Sequence, residues 1–140
     1  MDLAIQKHKN IKYIIHCGDV AADIEYLEYV YGTSHCICSV CGNNDFFTNE
    51  PYLRIFPYEG HRVYVTHGHK ESVKQGLYTL SVAARKAECD ICIYGHTHIQ
   101  NYKEENGMIY LNPGSIGIKK QEYAIISIEK DDVKISLHKL

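Results

Sequence analysis

The sequence has no long apolar run, no surplus of charge of either sign, no internal repeat and no low-complexity segment. The first absence excludes a helical membrane span, which needs about 18 or more apolar residues in succession. Fifteen Lys and Arg against 17 Asp and Glu give a formal net charge of -2 with His neutral, so the basic footprint of a nucleic-acid binder is missing. The opening stretch MDLAIQKHKN lacks the apolar core and cleavage site of a secretory signal. The expectation is a soluble cytoplasmic protein with neither a membrane nor a nucleic-acid partner. At 140 residues the chain has the length of one domain, residues 1–140, with a substantial core. Its 45% hydrophobic and 23% charged content is that of an ordinary globular domain.

What the composition does supply is six cysteines and nine histidines. Cys36, Cys38 and Cys41 in CICSVC, and Cys89 and Cys92 in CDIC, have spacings used by zinc and redox sites. Cys36 and Cys38 also alternate with Ile37 inside an apolar run, as small hydrophobic residues do in a strand. Free thiols suit a reducing compartment, and the strand reading is preferred. Histidine is paired: His67 with His69, and His96 with His98. In an extended segment, residues i and i+2 point to one side. One such pair is equally well the polar face of a half-exposed strand. Two pairs, each directly after an apolar run, point to a metal site.

Hydropathy patterning predicts strands within 11–20, 35–45, 61–69 and 89–98. It predicts helices over 22–32, with Ile24, Leu27, Val30 and Tyr31 in rhythm, and over 71–88 with a break near Gly76. EPYLRIFPYEG (50–60), with two prolines, reads as irregular. Asn106-Gly107 and Asp131-Asp132 mark the turns of two hairpins. The fold class is therefore α/β, two packed sheets with helices outside.

GDV, GNND, HGH and GHTH each close a predicted strand, and ligands of open α/β sheets gather at the carboxyl ends of strands. Asp19, Asn43, His67, His96 and His98 offer carboxylate, amide and imidazole donors. That mixture suits Mn²⁺, Fe²⁺, Zn²⁺ or Ni²⁺; an all-oxygen set would favour Mg²⁺ or Ca²⁺, and a thiolate set structural zinc. One carboxylate among neutral donors can bridge two cations about 3.5–4 Å apart, which together activate water for attack on phosphorus. Asp45 reads as a loop cap. His16, three residues before Asp19, reads as a strand residue on the other face, and His8, His35, His61 and His138 read as surface residues.

HCGDV, CGNND, VTHGH, YGHTH and LNPGS (111–115), in that order, resemble the later motifs of calcineurin-like metallophosphoesterases, above all their small bacterial and archaeal phosphodiesterase branch. The resemblance spans about residues 11–128. It implies a four-layer αββα sandwich and a hydrolase of small-molecule phosphate esters, a phosphodiesterase or phosphatase. It also implies a dinuclear centre of Mn, or of Ni, Zn or Fe, with metal-bound hydroxide as nucleophile. Carried over by motif, Asp19 would bridge both metals, Asn43, His67 and His96 would complete the second, and His98 would bind the first. His69 would lie beside the substrate phosphate. Asn44 stands where many members have a catalytic histidine and this branch often has cysteine; an amide cannot act as an acid but can hydrogen-bond a phosphoryl oxygen. Homo-oligomers are common among such small enzymes.

The family begins with a strand ending in Asp-x-His, two ligands of the first metal. No Asp-x-His occurs in these 140 residues, and MDLAIQKHKN matches the helix that follows that strand. The expectation is an N-terminally truncated chain that lacks the first strand. Its first metal would keep only Asp19 and His98, and its activity would be low. The alternative is a non-catalytic metal-binding scaffold of the same fold acting in protein–protein interaction, which the resemblance to the retromer scaffold subunit implies.

Overall fold

A computed structural model describes residues 1–140. In chain order the elements are α1 (Asp2–Lys7), β1 (Tyr13–His16), α2 (Ala21–Tyr31), β2 (Cys36–Ser39), β3 (Leu53–Tyr58), β4 (His61–Thr66), α3 (Tyr78–Lys86), β5 (Ile91–Tyr94), β6 (Asn101–Glu105), β7 (Met108–Asn112), β8 (Glu122–Glu129) and β9 (Asp132–Lys139).

Five strands form one sheet in the order β3-β4-β5-β7-β6, parallel at its centre and antiparallel at both edges. Its central strands are buried on both faces, as the apolar runs VYV, ICIY and MIYL require. Period two sorts the side chains. Val63, Val65, Ile91, Ile93, Ile109 and Leu111 face one core, while Tyr64, Cys92, Tyr94, Met108 and Tyr110 face another. α3 covers the second core with Leu80 and Ala84. The first core is covered by two separate pairs, parallel β1-β2 and antiparallel β8-β9, which contribute Ile15, Cys38, Ala124, Ile126 and Ile135. α2 packs on β2, and Tyr26 and Tyr31 of α2 donate to Asp2 of α1. The layers are helix, sheet, paired strands, helix. β1 and β8 each have a strand neighbour on one side only.

Four expectations change. Residues 53–58 are a strand despite Pro57, because β3 is an edge strand, where a missing N–H removes no ladder bond. Its turn, Glu59-Gly60, has positive φ at both positions (49° and 86°), the twist a two-residue hairpin prefers. The helix expected over 71–88 begins only at Tyr78; Gly76 at φ 133° ends the run of turns before it. The last hairpin turns at Lys130-Asp131, since Glu129 pairs with Asp132. His8, His35, His61 and His138 are half-buried rather than surface residues; the His8 ring, for example, meets Tyr123 and His138 edge-on.

Candidate metal centre

The carboxyl ends of β1, β2, β4 and β5 carry the residues singled out above. After β1 the chain turns through Gly18, Asp19 and Val20, all at positive φ (86°, 61° and 69°). After β2 it passes Gly42 so closely that a Cβ there would overlap the Asp19 carboxylate and lie 2.5 Å from the Asp19 nitrogen. Glycine is required by that approach rather than by its backbone angle.

His67 is the centre of the arrangement and is 1% exposed. Its Nδ1 donates to the Cys17 carbonyl at 2.6 Å. Its Nε2 faces Asn43 Oδ1 at 3.1 Å, His96 Nδ1 at 3.1 Å and Asp19 Oδ2 at 3.5 Å. Four of the five expected ligands thus meet at one atom. His98 does not join them: it is exposed, at φ 54°. The expected i, i+2 extended pair is absent because β5 ends at Tyr94 and His96 also has a positive φ, 64°. His69 sits beside the cluster, its ring 5.4 Å from that of His67 and 6.1 Å from that of His96. Its Nδ1 is buried without a partner. Asn44, expected to face a phosphoryl group, instead donates to both Asp19 oxygens, from its backbone N–H at 3.1 Å and its Nδ2 at 2.9 Å.

Electrostatics favour the ligand forms of Asp19 and His96. Burial raises the Asp19 carboxyl, but the Asn44 N–H, His67, the Asn44 amide and His98 outweigh it and hold the group below the usual carboxylate range. Burial lowers His96, helped by Lys74, His67 and His69. Burial and His67 likewise lower His69. Neutral imidazole and ionised carboxylate are the forms that bind cations.

Several supports escaped the sequence reading. Buried Asn112, from LNPGS, donates to the Gly95 carbonyl at 2.8 Å and to Thr97 Oγ1 at 3.1 Å, and accepts from the Gly114 N–H at 3.0 Å, fixing the loop that carries His96. Buried Glu71 accepts from Tyr64 and Thr66 at 3.1 Å each, tying the loop after His67 back to β4. His16, assigned to the other face, accepts the Gly18 N–H at 3.3 Å and lies in the field of Asp23, Asp45, His67 and Asp19. Alternating apolar patterns gave no signal for these contacts.

The six cysteines are free thiols. Burial, with Cys38 beside it, pushes Cys17 up to about 12, and burial with Cys89 pushes Cys92 up to about 12. Thiols held so firmly protonated are poor ligands and nucleophiles.

Counted among His, Cys, Asp and Glu alone, no three groups form a finished metal cage. The donor types of Asp19, Asn43, His67 and His96, one carboxylate, one amide and two imidazoles, suit a divalent cation. Because Nδ1 of His67 donates to the Cys17 carbonyl, Nε2 is the nitrogen left to bind a cation. Separations of 3.1–3.5 Å are about those between neighbouring ligands of one first-row divalent ion.

Residues 1–131 match the calcineurin-like phosphoesterase superfamily domain. A probable metallophosphoesterase of Mycoplasma pneumoniae is 31% identical over 121 residues, covering 84% of this chain and 72% of its own. A phosphodiesterase of Methanocaldococcus jannaschii is 27% identical over 154 residues, covering 91% and 89%. Vacuolar Protein Sorting 29 from Cryptosporidium parvum superposes with a TM-score of 0.86 at 21% identity, covering 99% of this chain and 80% of that one.

Proposed function

Because the chain belongs to the calcineurin-like phosphoesterase superfamily, we propose that it is a metal-dependent phosphoesterase acting on small-molecule phosphodiesters. The convergence of Asn43, His96 and Asp19 on His67 Nε2 carries this reading. Asp19, Asn43, His67 and His96 would hold one divalent cation, such as Mn²⁺, and Asp19 with His98 would offer partial ligation to a second. A bound cation supplies Lewis acidity toward phosphoryl oxygen and toward water.

The chain's own groups do the rest. His69, whose pKa burial and His67 lower, would hydrogen-bond a phosphoryl oxygen. Asn44 is committed to Asp19 and has no proton to give, so the departing alkoxide must draw its proton from water. A leaving group of low basicity is then hydrolysed fastest. The test is hydrolysis of bis-p-nitrophenyl phosphate with added Mn²⁺ or Ni²⁺. Turnover that EDTA abolishes and His67→Ala removes supports the reading; metal-independent turnover, or none, overturns it.

A second reading has its own support. The fold is shared with Vacuolar Protein Sorting 29 from Cryptosporidium parvum. A chain that binds Mn²⁺ tightly yet hydrolyses neither mono- nor diesters would be a metal-stabilised scaffold for protein contacts.

A further inference from the structure

We infer that Asp45 is a positioning residue for the Asp19 carboxylate, holding the loops after β1 and β2 in one fixed relation. The inference rests on the metal-binding role proposed above. Asp45 Oδ2 accepts from the backbone N–H of Asp19 at 2.9 Å and of Gly42 at 2.8 Å, and its Oδ1 accepts from that of Ala21 at 2.9 Å. Three donors from two loops thus end on one side chain.

The need for such a clamp is local. Asp19 and Val20 both hold left-handed backbone, which L-residues avoid and β-branched valine avoids most. No side chain of the helix itself caps that turn: Val20 occupies the N-cap of α2 and makes no side-chain cap bond. Asp45 supplies the missing cap from 24 residues away, and its charge suits a helix N-terminus. Gly42 belongs to the same clamp, since its tight approach to Asp19 is what lets one oxygen take both N–H groups. Asp45 acts through Asp19, since every hydrogen bond it accepts comes from the backbone of these two loops.

Asp45→Asn puts an NH₂ where an oxygen accepted. In either rotamer at least one of the three bonds becomes donor against donor. The Mn²⁺ Kd, read by isothermal titration on folded protein, should rise about 10–100-fold. Leu80→Ala, a core truncation beneath α3, is the control for lost stability alone and should leave the Kd within about threefold. Unchanged binding by Asp45→Asn, or an equal loss in Leu80→Ala, overturns the inference while leaving the metal site intact. A native chain that binds no Mn²⁺ overturns the metal reading and this inference together. Should Asp45→Asn not fold, amide exchange in the native, metal-free chain decides. The Asp19, Ala21 and Gly42 amides should exchange at least about 100-fold more slowly than that of exposed Phe47; exchange at the Phe47 rate overturns the inference.

Discussion

His67 Nδ1 lies 2.6 Å from the carbonyl oxygen of Cys17, and that contact decides how the ring can be used. A carbonyl only accepts, so Nδ1 donates and carries a proton, and Nε2 is the nitrogen turned to the site. A backbone group from β1's end therefore sets the tautomer of a residue on β4's end, as outer partners of metal-binding histidines commonly do.

His67 and His98 should separate by metal titration. His67→Ala removes the atom on which Asn43, His96 and Asp19 converge and should weaken Mn²⁺ binding by more than about 100-fold. His98→Ala removes an exposed ring outside that cluster and should change the tight site by no more than about threefold. Native protein should bind one Mn²⁺ tightly. Two equally tight ions, or equal losses in the two variants, would contradict this arrangement.

Gly42 and Gly60 offer a second contrast. A Cβ at Gly42 has no room beside Asp19, whereas one at Gly60 meets nothing within 4 Å. Gly42→Ala must displace Asp19 and should destabilise the fold by about 1–3 kcal/mol while weakening Mn²⁺ binding. Gly60→Ala pays only for its positive φ, about 1–2 kcal/mol, and should bind Mn²⁺ as the native chain does. Calorimetry on both variants, with thermal melts alongside, tells steric displacement from backbone strain.

How far the sequence could be read follows from which forces were local. Asn106-Gly107 was legible as a turn because few other residues accept φ of 52° and 73°. β5 and β7 were legible as apolar runs. β3 was not, since Pro57 forbids only an inner strand and edge position is a tertiary fact. Residues 71–77 had helical composition, but Glu71 is held by Tyr64 and Thr66, so a buried carboxylate overrode propensity. At the site, residue type announced Asp19, Asn43, His67 and His96. The partition between His96 and His98 came from the motif resemblance and not from residue pattern, because its physical cause is left-handed backbone at both and the contacts of Asn112, which only the fold creates.

Asn112 should prove a structural support of the His96 loop. It is 0% exposed, and its amide joins Gly95, Thr97 and Gly114. Asn112→Ala leaves the buried Gly95 carbonyl and the half-buried Gly114 N–H without partners, at about 1–3 kcal/mol. Urea denaturation should show that loss at an unchanged m-value. A change below a few tenths of a kcal/mol would mean that water replaces the amide.

His61 gives the chain a pH-dependent tie. Its Nδ1 meets Asp90 Oδ2 at 2.6 Å and its Nε2 meets the Lys130 carbonyl at 2.9 Å. Both partners are acceptors, so both contacts are donated hydrogen bonds only when the ring is an imidazolium. The Asp90 hydrogen bond raises its pKa against the opposing effect of burial, with the Lys130 carbonyl and the Asp90 and Asp131 charges adding to the rise. A pKa raised on folding contributes stability that is complete below the unfolded value, about 6.5, and disappears as pH climbs through the folded value. On deprotonation the Nε2 bond is lost first, which frees the Lys130-Asp131 turn while Nδ1–H can still hold Asp90. Native protein should therefore exceed His61→Gln in urea midpoint most at about pH 5.5, with the gap narrowing steadily toward about pH 8.5. A gap that stays constant, or widens with pH, would show that the ring is neutral in the fold and that one of these two contacts is not a donated hydrogen bond.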